Sequence, residues 1–418
     1  MTFPSPDASV SRPAAAGQCL AALGAVLALQ FAASAALAQQ QQPPAWAQGR
    51  PPGMENSQLA PHAPRMTVTA PDKIPLDKIN VPSGFKVELW AHGMPGARMM
   101  TLGDKGTVFV GTRTIGRVYA VFDSGGERKT QIIAQGLTQP NGVVFRNGAL
   151  YVAAISRMLR YDGVEEKLSG GLQPVDLTTA FQLPPEPHHG WKFLAFGPDN
   201  KLYVPIGAPC NICEVSPAHA QIRRYNADGS GMEVVARGVR NSVGFDFHPR
   251  TGELWFTDNG RDWAGEDGPE EELNRVTTPG ADYGFPYCHA QGLPDPDIKK
   301  ENACDGVVKP VALLGPHAAA LGMRFYTGQM FPAEYRERIF VARRGSWNRT
   351  EKFGYDVVMV SANPDGTNAK VEPFMTGFLD KQSNSFWGRP ADVMQIRDGS
   401  LLVSDEENGA IYRVSYQR

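Results

Sequence analysis

Surplus charge of either sign is lacking: 41 Lys and Arg stand against 43 Asp and Glu in 418 residues, a net charge of −2. That balance excludes a nucleic-acid binder held mainly by phosphate neutralisation. Charged residues are only 20% of the chain and hydrophobic ones 42%, which is too rich in core formers for a mostly disordered protein. Long helical periodicity is missing, and so is a Gly-x-Gly-x-x-Gly after a strand. A nicotinamide-binding doubly wound domain is therefore disfavoured. Beyond residue 38 no stretch is apolar enough to span a bilayer. Cysteine is scarce, five in all. Cys210-Asn211-Ile212-Cys213 is a Cys-x-x-Cys pair, but Glu214 stands where haem attachment needs His. No second ligand pair supports zinc, and no βαβ pattern surrounds the pair as it does in thioredoxins.

Residues 17–38 form an apolar run closed by Ala36-Leu37-Ala38, a small-x-small cleavage pattern preceded by one basic residue, Arg12. We read residues 1–38 as a secretory signal peptide, with a membrane anchor as the competing reading. The mature chain is then exported, periplasmic or secreted, with no integral membrane segment. Residues 39–76 are Pro/Gln-rich and are expected to be a flexible leader. Cys19 leaves with the signal, so Cys210, Cys213, Cys288 and Cys304 remain. An even number in an exported chain suggests two disulfides, with Cys210–Cys213 and Cys288–Cys304 the local choice among three connectivities.

What the chain does have is turns, with 44 Gly and 34 Pro, and a repeat. A Gly or Asp turn followed by an apolar or aromatic triplet occurs six times, ending at Val110, Val152, Val204, Phe256, Val341 and Val403. Neighbouring short apolar segments make each unit a meander of strands. Six such units over residues 77–418 predict an all-β, six-bladed β-propeller, against a β-sandwich with accidental similarity. The long intervals from 256 to 341 and from 341 to 403 should hold loop insertions. Propellers bind ligands at one end of the central channel, so polar residues beside the inner strands are the candidates.

Four segments meet that description. His188-His189 precedes the strand-like FLAF and could supply a general base near neutral pH. On an extended segment the two rings point opposite ways, so only one should face the channel. Arg240-Asn241 could present a guanidinium and an amide to a carboxylate or carbonyl, or form a surface salt bridge. Asp258-Asn259-Gly260-Arg261-Asp262, followed by an acidic run from Glu266, is an oxygen-rich loop suited to Ca²⁺ or to solvent. Arg343-Arg344 and Arg389, converging with Arg240, would receive a polyanion. Ser404-Asp405-Glu406-Glu407-Asn408 reads as a solvated turn.

Taken in order, these segments resemble the soluble pyrroloquinoline quinone (PQQ)-dependent sugar dehydrogenases, especially the sorbosone dehydrogenase-like branch. The stretches that carry the resemblance are HHGWKFLAFGPDNKLYVPIGAPCN, VRNSVGFDFHPRTGELWFTDNGRDW, EEELNRV followed by GADYGFP, and WGRPADVMQIRDGSLLVSD. The resemblance implies PQQ and Ca²⁺ as cofactors and a small sugar or sugar aldehyde, aldose or sorbosone-like, as substrate. A periplasmic electron acceptor, unidentified, would complete the cycle. It implies His189 as the base, Arg240 and Asn241 at the quinone, and the Gly260 and Arg261 carbonyls as the calcium ligands. It places Asn259 and Asn141 at the cofactor edge, and Arg344 or Arg343, with Arg389, at its carboxylates. Departures fall at Ala391, where glucose-oxidising members carry a second Arg, and at Arg261, where they carry Pro. Two other readings compete: a gluconolactonase-like metal-dependent hydrolase, and a non-catalytic propeller that binds a glycan or a protein.

Overall fold

In the computed structural model, which describes residues 44–54 and 56–417, each apolar triplet lies in the second strand of a sheet that is four-stranded and antiparallel in five cases; the third adds a short fifth strand, Ala281–Asp282, parallel to Glu233–Arg237. These strands are Val108–Thr112, Ala149–Ala154, Leu202–Ile206, Leu254–Asp258, Ile339–Arg343 and Leu401–Asp405, and every residue in them is buried. A strand covered on both faces reads as a continuous apolar run and not as an alternating one. Here the covers are the two neighbouring blades.

The inner strands are Ala97–Leu102, Gly142–Arg146, Ala195–Phe196, Phe245–Phe247, Ala320–Phe325 and Pro390–Gln395. Their sheets are six blades of a β-propeller. The sixth takes its outermost strand, Phe85–Ala91, from the start of the fold, paired antiparallel to Ala410–Tyr416. Apolar layers fill the gaps between blades: Phe109 stacks on Phe145 at 5.9 Å, and Trp255 meets Phe325 edge-on at 5.5 Å. Polar clips cross the same gaps near the channel. Asp392 accepts from Met100 N at 2.8 Å, Asp246 from Phe325 N at 2.9 Å, and Thr101 Oγ1 from Phe145 N at 3.0 Å. A buried carboxylate or hydroxyl bonded to a backbone N–H meets the demand that buried polar groups be paired.

The long interval after residue 256 holds an excursion at 281–311, stapled by Cys288–Cys304. The other pair is Cys210–Cys213. The proposed signal, 1–38, lies outside the described residues, as do 39–43 and 55 of the expected leader. The rest of that leader makes specific contacts with the propeller. Ile74 enters the core, and Thr69 bonds to Asn408 through both backbone and side chain. Among the described residues no helix is long and apolar enough to cross a membrane.

Candidate functional site

Antiparallel pairing places the start of each inner strand beside the end of its second strand, as in Ala97↔Thr112, Gly142↔Ala153, Ala320↔Arg343 and Pro390↔Asp405. Six strand ends therefore meet at one mouth of the channel. The residue three past each triplet stands there: Arg113, Ile155, Gly207, Asn259, Arg344 and Glu406. The inner-strand starts add Arg98, Asn141, Asn241 and Arg389.

Four guanidiniums gather around one carboxylate. Glu406 takes Arg98 at 3.1 Å and both Nε and Nη2 of Arg344. Burial works upward on this carboxyl, but Arg344 and Arg98 hold it well below the usual range. Arg113 and Arg389 meet no carboxylate among the described residues. Arg113 lies 3.9 Å over the Trp191 ring. Arg389 has two long contacts, to the Arg344 and Gly345 carbonyls at 3.4 and 3.5 Å. Burial first, and then the neighbouring guanidiniums, pull Arg113 and Arg389 each from 12.5 to about 9. Buried polar atoms without a partner among the described residues include Arg98 Nε, Asn141 Oδ1, His188 Nε2 and Trp191 Nε1. Excess buried positive charge with idle donors calls for an anion.

Arg344, and not Arg343, belongs to this cluster. Arg343 turns away to Asp356, with Nε–Oδ1 at 2.7 Å and Nη2–Oδ2 at 2.6 Å, and to the Leu314 carbonyl at 3.0 Å. Adjacent residues on a strand face opposite ways. The Ser404–Asn408 segment corrects the expectation of a solvated turn: Ser404, Asp405, Glu406 and Asn408 are buried. Asp405 accepts from Arg389 N, Asn408 and Tyr412, which makes it the bracket beneath Arg389.

His189 is 6% exposed. Its Nδ1 lies 2.9 Å from the Ala208 carbonyl. A carbonyl only accepts, so Nδ1 carries the proton and Nε2 keeps the lone pair. Burial, then His188 and Arg240, push its pKa well below 6.5. The expected alternation of the two histidines fails because His189 has a positive φ of 49°. The chain is not extended there, and the rings lie side by side, centroids 4.0 Å apart. Gly207 makes the room, since a Cβ on it would fall 2.5 Å from His189 Cβ.

Arg240 stands beside the histidines, outside the four-arginine cluster. Its nitrogens meet Asn211 O at 2.9 Å, Asn259 O at 3.0 Å, Asn211 Oδ1 at 2.8 Å and Asp262 Oδ2 at 3.3 Å. Its fork is thus largely occupied by the protein. Asn241 donates to Asn259 Oδ1 at 3.3 Å, and Asn259 donates to Ala320 O at 2.7 Å. Asn141 donates to Lys192 O at 2.6 Å. Gly260 N bonds to Glu271 at 2.8 Å. The Arg261 side chain points into the 281–311 excursion and pairs with Asp295 at 2.9 Å and Asp297 at 2.7 Å. At these two positions only the backbone oxygens could reach a metal. Among the described residues no group of three or more His, Cys, Asp or Glu forms a metal cage. Sequence reasoning missed Arg98, Arg113 and Glu406; the last two were findable from their distance past the triplets.

Residues 79–417 match the model of a family described as TrAA12-like. The chain is 33% identical over 351 residues to an uncharacterized protein of Borreliella burgdorferi, covering 81% of this chain and 91% of that one. It is 24% identical to a pyrroloquinoline quinone-dependent pyranose dehydrogenase of Coprinopsis cinerea, covering 81% of this chain and 54% of that protein, about half its length. Two solved structures share the fold. An iodide structure of the Trichoderma reesei Carbohydrate-Active Enzymes Family AA12 protein has a TM-score of 0.67 at 19% identity, covering 85% of this chain and 100% of that one. The holo form of the Coprinopsis cinerea pyranose dehydrogenase PQQ domain gives 0.65 at 20%, covering 85% and 99%.

Proposed function

The chain belongs to the TrAA12-like family, and on that premise we propose that it is a PQQ-dependent dehydrogenase oxidising a sugar or a sugar aldehyde, aldose or sorbosone-like. One observation carries the reading: Arg98 and Arg344 share a single carboxylate, Glu406, and Arg113 and Arg389 stand beside them with no carboxylate of their own among the described residues. PQQ is a planar tricarboxylic acid, and a mouth with surplus guanidinium charge and unpaired donors fits it. Trp191, already beside an arginine, adds a flat face.

Arg113, Arg344 and Arg389 would hold the carboxylates, with Arg98 behind them on Glu406. Asn141, Asn241 and Asn259 would border the ring system. The Gly260 and Arg261 carbonyls would hold Ca²⁺, a hard cation suited to backbone oxygens. When bound, the quinone takes up the two electrons and the hydrogen removed from the substrate carbon. His189 supplies the base: its bare Nε2 takes the hydroxyl proton while Nδ1 stays on Ala208 O, which fixes tautomer and aim. A pKa below 6.5 keeps Nε2 bare at neutral pH. Arg240, clamped by Asn211 and Asn259, stabilises negative charge that builds on the substrate oxygen and disfavours a lingering imidazolium. We place the mature protein outside the cytoplasm, after removal of residues 1–38; the propeller domain begins near residue 77.

The test adds PQQ and Ca²⁺ to cofactor-free protein and follows dye reduction with aldoses, sorbosone and lactones. Reduction that needs PQQ supports the reading. Lactone hydrolysis without PQQ would move the protein to the hydrolase class, and no activity with no PQQ uptake would leave a binding propeller.

A further inference from the structure

The family match begins at residue 79, yet residues 45–54 and 56–69 lie across the same mouth. One end is fixed over the third to fifth blades. Asn211, whose side chain also holds Arg240, bonds to Gln48 twice, N–Oε1 at 3.1 Å and Nδ2–O at 2.6 Å. Trp263 Nε1 donates to Trp46 O at 2.7 Å, and Trp46 meets Trp347 edge-on at 5.6 Å. The other end is fixed on the sixth blade, where Thr69 bonds to Asn408 at 3.1 Å through its backbone and 2.6 Å through its hydroxyl. Among the described residues, none of these anchors falls on the first two blades, which carry Arg98, Arg113 and Trp191.

Between the anchors stands His62. Its ring lies 4.8 Å from Phe386, and Arg389 lies 5.4 Å from the same ring. Its Nε2 is 3.2 Å from Tyr355 OH. Tyr355 gives its own proton to Ser346 O at 2.6 Å, so His62 must donate through Nε2–H. Nδ1 is left as an acceptor. Burial, then Arg389 and Arg344, lower its pKa to about 4, so the ring is neutral.

We propose that residues 45–54 and 56–69 form a roof over the third to sixth blades that closes on the bound cofactor, and that His62 is its specificity-determining residue, a fixed acceptor beside Arg389 for a hydroxyl of the incoming carbohydrate. The inference rests on the functional reading above. It assigns substrate selection to a segment outside the family's propeller, with entry from the first two blades. The neutral imidazole suits a sugar hydroxyl, which donates one hydrogen bond, and the half-buried Phe386 ring beside it, backed by the buried Tyr355 stacked on it at 4.6 Å, offers apolar surface to the C–H side of a pyranose.

The test compares wild type, His62→Ala and Trp46→Ala/His62→Ala, each loaded with PQQ and Ca²⁺. Release of PQQ is followed by its own absorbance after dilution and rapid desalting, and thermal unfolding is recorded for the cofactor-free forms. The double variant should release PQQ at least tenfold faster with an unchanged unfolding midpoint. His62→Ala should raise KM for the best aldose about tenfold and leave kcat within twofold. Wild-type protein that takes up no PQQ would overturn the functional reading and this inference with it. PQQ uptake with equal release by wild type and double variant would overturn the roof alone. A fall in kcat at constant KM would overturn the role of His62.

Discussion

Arg389 is held where its charge is unwelcome, and replacing it should therefore stabilise the empty protein while weakening its ligand. The side chain is 2% exposed, and burial, with Arg344 next, takes its pKa from 12.5 to about 9. At about 1.4 kcal/mol per tenfold change in proton affinity, that is a penalty of several kcal/mol on the charged form, part of which relaxation and water will absorb. Replacing a poorly paired buried ion by an apolar residue of similar volume gains roughly 1–4 kcal/mol. Arg389→Met should thus raise the unfolding midpoint of the cofactor-free protein by a few degrees, at about 2–4 °C per kcal/mol for a large domain. Loss of a hydrogen bond to a charged partner costs about 1.5–3 kcal/mol, so PQQ should bind roughly ten- to a hundredfold more weakly. Calorimetry of the empty protein and quenching of tryptophan emission by added PQQ measure the two effects separately. A lower midpoint, or an affinity within twofold of wild type, would refute the reasoning.

Other outcomes follow from the same geometry. His189→Ala should lower dye-linked turnover by about 10²–10⁴ with PQQ affinity within threefold; near-wild-type turnover would remove it as the base. Arg343→Met should leave PQQ affinity alone and destabilise by about 3 kcal/mol, since Asp356 loses its partner, whereas Arg344→Met should weaken PQQ binding; the opposite pattern would reverse their roles. His189 also predicts a pH dependence. Its folded pKa lies below 6.5, so the stability it contributes is full above pH 6.5 and is lost as pH falls from there, by up to about 1.4 kcal/mol per pH unit. Glu271, pushed up to about 8 by burial, acts the other way, its contribution present below about pH 4.5 and lost as pH rises through 8. Urea unfolding at pH 7.5, 6.5 and 5.5 should show a shallower acid slope for His189→Gln than for wild type, and parallel slopes would contradict the assignment.

The six triplets were legible because strands sandwiched between blades keep one simple signature, an unbroken apolar run after a turn. Their positions located the second strand of every blade. What stayed hidden was the rule that links them to the channel. Three residues past each triplet the chain reaches the mouth, so Arg113 and Glu406 occupy places equivalent to Arg344 and Asn259. Read one blade at a time, Glu406 in an acidic stretch suggests a solvated turn; read across all six, it is the counter-charge of the arginine cluster. Arg98 carried no such signal, because a lone Arg before a run of Met gives no sign of facing inward. The histidine pair misled for a local reason: period-two alternation presumes extended backbone, and His189 is left-handed against Gly207. Low apolar content made residues 45–69 look like a tether. Their order comes from a few aromatic and amide contacts that only the folded mouth provides.

The sixth blade joins Phe85–Ala91 to Ala410–Tyr416, and this imposes a sequence in time. During synthesis the earliest strand of the propeller must wait, unmatched, until Ala410–Tyr416 has emerged. The roof leads directly into that waiting strand through Thr69 and the Asn80–Thr376 bridge. Its Asn408 anchor exists only once the carboxyl-terminal hairpin has formed. Sealing the ring and covering its mouth are then one late step of maturation, and a chain cut before Asn408 would lose both together.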